Sequence, residues 1–144
     1  MGGGPPANRF EPGGPCPAGE SLAGSPILKV DTIWVHIRDV RRARVFYRDA
    51  LGLAELHYDE ASQHASYRLP RGPPLAMHKQ GKGEPGRRAG TVTGLYLRVA
   101  DVRKAARAIK RRGGRVTDEP EKMPWGKWNA TVADPDGNEF VLTD

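Results

Sequence analysis

The chain repeats itself. Set side by side, TIWVHIRDVRRARVFYRDALG (32–52) and GLYLRVADVRKAARAIKRRGG (94–114) match Asp39 with Asp101, Val40 with Val102, Arg41 with Arg103, Ala43 with Ala105 and Gly52 with Gly114, at a constant spacing of 62 residues. A repeat of this length is one supersecondary unit used twice. Each copy opens on strand periodicity: Ile33, Val35 and Ile37 alternate with Thr32, Trp34 and His36. An acidic cap follows, Asp39 or Asp101, then a helix that Gly52 or Gly114 ends. In the first helix Val40, Ala43, Phe46, Tyr47 and Ala50 form an apolar stripe.

Three further strands are predicted after each helix. In the first copy they are LAELHYD, HASYRLP and PLAMHKQ, and in the second GRVTDEP, KWNATVA and NEFVLTD. The expected fold is therefore α+β: two βαβββ modules, at 27–80 and 91–144, whose curved mixed sheet encloses a cleft. Residues 1–26 are dominated by Gly, Pro and Ala and bury too little apolar surface to offset the entropy of ordering, so a disordered tail is expected there. Cys16, the single cysteine, lies in that tail and cannot build a disulfide framework. DPDG, from Asp134 to Gly137, has the proline and glycine of a tight turn, with Asp134 placed to accept backbone hydrogen bonds.

The formal charge of +6 arises largely in RDVRRARVFYR and DVRKAARAIKRR, where the arginines fit the solvated backs of two amphipathic helices. No nucleic-acid signature accompanies them, so no nucleic-acid partner is expected. No apolar run approaches the roughly 20 residues that span a bilayer, and no secretory leader is evident; a cytoplasmic protein without membrane association is expected.

The repeat, with FYRDALGL in the first helix and DPDGN before the last strand, resembles the vicinal oxygen chelate superfamily: glyoxalases, bleomycin-resistance proteins, extradiol dioxygenases and fosfomycin-resistance enzymes. The resemblance covers about 27–144. In the metal-dependent members, it implies, one divalent ion sits in the cleft on four side chains, one from the first and one from the last strand of each module. The matching positions here are Thr32, seven before Asp39; Gly94, seven before Asp101; Val141, four after Gly137; and Ala76 in PLAMHK. A hydroxyl, a hydrogen, an isopropyl and a methyl group supply at most one weak donor, so no metal or other cofactor is expected. The resemblance also implies a homodimer.

Strand alternation turns Trp34, His36, His78, Tyr96 and Arg98 toward the cleft. Two rings, two imidazoles and a guanidinium suit a planar or aromatic anion. Trp125, in EKMPWGKW, is placed as a lid or as a loop anchor, while His57 and His64 are expected to meet solvent. Three functions remain open. The first is a metal-independent binder of a small molecule. The second is an enzyme of lyase, isomerase or dioxygenase type, using a displaced metal or His36 and His78 as acid and base. The third is a dimerisation or protein-interaction domain whose cleft Trp34 and Tyr96 fill.

Overall fold

The computed structural model describes residues 24–81 and 88–144. Cys16 and most of the expected tail lie outside the described residues. The first module runs β1 (Ile33–Ile37), α1 (Val40–Arg44), a π-helical continuation (Val45–Ala50), β2 (Ala54–Asp59), β3 (His64–Arg68) and β4 (Leu75–Lys79). The second runs β5 (Val92–Arg98), α2 (Val102–Arg111), β6 (Arg115–Lys122), β7 (Trp128–Ala133) and β8 (Glu139–Thr143). Each module forms its own four-stranded sheet, ordered β1-β4-β3-β2 and β5-β8-β7-β6, with β1 parallel to β4 and β5 parallel to β8. The fold is the expected pair of βαβββ modules. β1 falls on the residues whose alternation predicted it; 27–32 precede the strand, and Ile27, Leu28 and Val30 are exposed. Among the described residues no helix is long and apolar enough to cross a membrane.

Both helices start on the predicted caps. Asp39 accepts from the Arg41 amide, and Asp101 from the amides of Arg103 and Lys104, satisfying donors that the first turn would otherwise leave orphaned. Every residue of the expected stripe is buried, namely Val40, Ala43, Phe46, Tyr47 and Ala50. The helix widens after Arg44, so that the Leu51 amide reaches the Phe46 carbonyl at 2.8 Å. At its end Gly52 adopts φ +73°, a left-handed stop that suits glycine.

One apolar core joins the modules. Tyr47 stacks on Tyr67 from its own module and meets Phe140 of the other edge-on, with centroids 5.9 Å apart. The turn before β8 locks this junction. Asp134 is fully buried: its Oδ1 accepts from the amides of Asp136 and Asn138, and its Oδ2 from the Tyr47 hydroxyl at 2.7 Å and the Asn138 side-chain amide at 2.8 Å. Burial, then the Asp134 carboxylate, raise the Tyr47 pKa well above its ordinary value and keep the phenol a donor. Asp136 accepts from the Arg38 amide, and Asn138 bonds the His36 carbonyl and the amides of Gly90 and Thr91. The turn does more than aim β8: it ties that strand to β1, to the first helix and to the approach to β5.

Candidate functional site

The inner face of each sheet packs into the shared core, and the outer face stays open. Paired residues on neighbouring strands share a face, so the register writes out each open surface. On the first sheet one row reads Trp34, Ala76, Ser66, His57, and the next reads His36, His78, His64, Asp59. On the second the rows are Tyr96, Val141, Thr131, Asp118 and Arg98, Thr143, Asn129, Glu121. The two grids occupy equivalent places, as the repeat requires, but their chemistry has diverged.

All four histidines of the chain fall on the first face. Trp34, 52% exposed, has the His64 ring at 5.5 Å and the His78 ring edge-on at 6.1 Å. His57 lies 5.0 Å from His64, and His64 lies 6.5 Å from His78. The expectation that His64 meets solvent is corrected: it stands half-buried on the central β3, between Trp34, His57 and His78. That position was legible in principle, because β3 pairs with β4 and places His64 opposite His78. Burial, followed by the charges of His57 and His78, lowers the His64 pKa, while Asp59 opposes them.

The second face holds a cavity of about 640 Å³, bordered by Tyr96, Asp118, Glu121, Met123, Asn129 and Val141 among others. Tyr96 is 64% exposed at its rim. Among the described residues the buried Asn129 side-chain oxygen has no hydrogen-bond partner, an acceptor waiting for a donor. This corrects the expectation of a basic cleft around Tyr96, since the flanking β6 brings carboxylates that alternation of the central strands could not reveal. Arg98 shares the Tyr96 face by register but does not border this cavity; its residue borders another pocket, at the seam between modules. Trp125 sits in the tight β6–β7 connection, where the Met123 amide bonds the Lys127 carbonyl, and is exposed. It does not border the Tyr96 cavity. Within the chain, Trp34, His36 and His78 thus come together, Tyr96 and Arg98 come together, and the two groups lie on separate sheets.

The four positions where the resemblance places a metal do not fit one. Ala76 is buried and carries only a methyl group, and Val141 offers none but carbon atoms beside Tyr96. Gly94 sits in a β5 irregularity at φ +75° with open space around it, so even its backbone leaves the strand geometry a ligand would need. The Thr32 hydroxyl donates to Asp31. Among the described residues no group of three or more His, Cys, Asp or Glu side chains is placed to hold an ion.

Comparison with known proteins agrees with this architecture. The model of the Glyoxalase/Bleomycin resistance protein/Dioxygenase superfamily matches residues 29–142. A superfamily member from Sphaerobacter thermophilus DSM 20745 is 30% identical, with 81% of this chain and 97% of that one covered at a TM-score of 0.70. TnmS3, an antibiotic binding protein from Streptomyces sp. CB03234, is 26% identical over 82% of this chain and 96% of its own, at a TM-score of 0.67. A glyoxalase-related enzyme from Fulvimarina pelagi shares the fold at 21% identity and a TM-score of 0.67, covering 81% of this chain and 88% of its own. No curated protein matches the chain. A family match across nearly all of both modules, on a structure with the same doubled βαβββ plan, means that this chain belongs to the glyoxalase/bleomycin resistance protein/dioxygenase superfamily.

Proposed function

We propose that this chain binds a small planar molecule without the metal used by many of its relatives, and does so as a homodimer in which the first face of one copy closes over the second face of the other. One observation carries the reading: Trp34 and Tyr96, at repeat-equivalent positions, hold their rings half or more exposed on open sheet faces, beside four positions that carry no set of metal donors. Large rings left in water on a sheet face mark surfaces that something covers. The surrounding groups set the ligand's polarity. The imidazoles and Arg98 suit an acidic edge, while Asp118, Glu121 and the orphaned Asn129 oxygen suit an edge bearing N–H donors. The ligand is thus planar and polar at both ends rather than simply anionic. The antibiotic-binding Streptomyces relative supports a drug-like molecule of this kind.

Tryptophan fluorescence against a panel of planar aromatic acids and amphoteric aromatic compounds tests this. The expected result is saturable quenching that Trp34→Ala abolishes and Tyr96→Ala weakens. Stoichiometric zinc, nickel, manganese or iron in the purified protein, lost in His36→Ala or His78→Ala, would overturn the metal-free reading in favour of an enzyme. Quenching unchanged by Trp34→Ala would remove the site.

A further inference from the structure

We propose that the pocket at the seam between the modules is a second, separate ligand site, for a small carboxylic acid with an apolar body. The pocket encloses about 270 Å³. Leu51 and Leu53, at the end of the first helix, line it together with Leu69 and with Leu97, Ile109 and Leu142 of the second module. Leu51, Leu53, Leu69 and Leu97 are only partly buried, so the walls present apolar surface to water that a guest of matching character removes. The volume is too small for a sheet face or a helix and takes roughly ten non-hydrogen atoms.

Charge selects the kind of guest. Among the described residues no carboxylate borders the pocket, and Arg112 is the charged residue there that does not also belong to the Tyr96 face. Arg112 caps α2 through its backbone, and among the described residues no carboxylate pairs with its side chain. Arg112 is exposed, and its guanidinium lies against the end of the first helix: Nη1 is 3.3 Å from where a Cβ on Gly52 would stand. Gly52 is needed there for its left-handed backbone, and its missing side chain leaves room for the guanidinium between Leu51 and Leu53. A planar fork of N–H donors at the rim of an apolar pocket is the arrangement that selects a carboxylate head over an alcohol or an amine. This site lies on the inner side of β5, behind the face that carries Tyr96, and it does not depend on the reading of the outer faces.

Octanoate, octanol and octylamine, titrated calorimetrically into the full chain, test the assignment. Octanoate binds saturably, one molecule per chain, and octanol and octylamine bind at least about tenfold more weakly. Arg112→Gln weakens octanoate about tenfold or more and leaves octanol unchanged. Ala108→Leu, which fills the pocket from α2 and keeps Arg112, abolishes both. Trp34→Ala leaves octanoate binding intact, which separates this site from the outer faces. Absence of saturable binding, equal affinity for octanoate and octanol, or insensitivity to both pocket variants would overturn the proposal. So would light scattering in which octanoate splits a dimer, since the pocket would then belong to a second copy of the chain.

Discussion

Replacing Asp134 by asparagine tests the reading of the DPDGN turn as the clasp between modules. The change keeps the shape of the side chain and alters only which atoms accept. Four donors converge on the carboxylate: the amides of Asp136 and Asn138 on one oxygen, the Tyr47 hydroxyl and the Asn138 amide on the other. The backbone donors cannot turn, so the asparagine oxygen must face them and its NH2 must face Tyr47 and Asn138. Tyr47 can rotate its hydroxyl to accept. Asn138 cannot flip, because its oxygen already accepts from Gly90 and Thr91, so two N–H groups are forced together. With hydrogen bonds to a charged acceptor worth about 1.5–3 kcal/mol each, and no water to relieve the clash, the expected loss is about 3–5 kcal/mol. Tyr47→Phe removes one donor and leaves the carboxylate three, for about 1.5–3 kcal/mol. Against a total of about 5–15 kcal/mol for a domain of ordinary stability, this is a large fraction of what holds the fold. Urea titration of the single and double variants gives the numbers, and the double variant should lose less than the sum. An Asp134→Asn cost no greater than that of Tyr47→Phe would refute the clasp.

Two other perturbations probe the packing and the imidazole face. A Cβ on Gly114 would collide with Ile109 Cγ2 and stand 3.0 Å from the Ile109 carbonyl oxygen and 3.2 Å from Ala50 Cβ; Gly114→Ala should cost about 1–3 kcal/mol in denaturant titration, with part of the loss relieved by Ile109→Ala. His64, whose pKa is lowered in the fold, takes up its proton sooner in the unfolded chain, so stability contributed by the neutral imidazole is complete above about pH 6.5 and is lost as the pH falls. Stability measured across pH 5–8 should decline on the acid side of this window in the native chain and flatten there in His64→Gln, which carries no titrating ring.

Most of the fold was legible because the sequence states it twice. The caps at Asp39 and Asp101, the buried stripe from Val40 to Ala50 and six later strands follow from period and punctuation, signals that live within one element. What escaped depends on which elements lie side by side. Alternation placed Tyr96 on an open face, but nothing local to β5 says that β6 brings Asp118 and Glu121 beside it, so the expected basic cleft came out acidic at that end. His64 was missed for the same reason, since its company is set by register with β4 rather than by its own neighbours in sequence. Asp134 and Asn138 read as turn residues and are so; their bonds to Tyr47 and the His36 carbonyl span the two modules and carry no local signature.

The core and the Asp134 clasp occupy the inner surfaces of both modules apart from the seam pocket, and the residues expected to share one cleft face outward on two sheets; in the proposed homodimer a second chain completes the cleft. Complementation decides this. In a symmetric dimer with two crossed clefts, each cleft takes Trp34 from one copy and Tyr96 from the other. Trp34→Ala and Tyr96→Ala homodimers then have both clefts damaged, whereas a mixed dimer has one cleft carrying both substitutions and one carrying neither. After subunit exchange at equal amounts about half the dimers are mixed, so about a quarter of all clefts regain native composition. Ligand titration of the mixture should recover that fraction of high-affinity sites with native affinity, while each variant alone recovers none. If the cleft were formed within one chain, every chain in the mixture would carry one damaged face and mixing would restore nothing. Zero recovery from variants shown to exchange subunits would therefore sink the shared-cleft homodimer and leave each face to bind, or not, by itself.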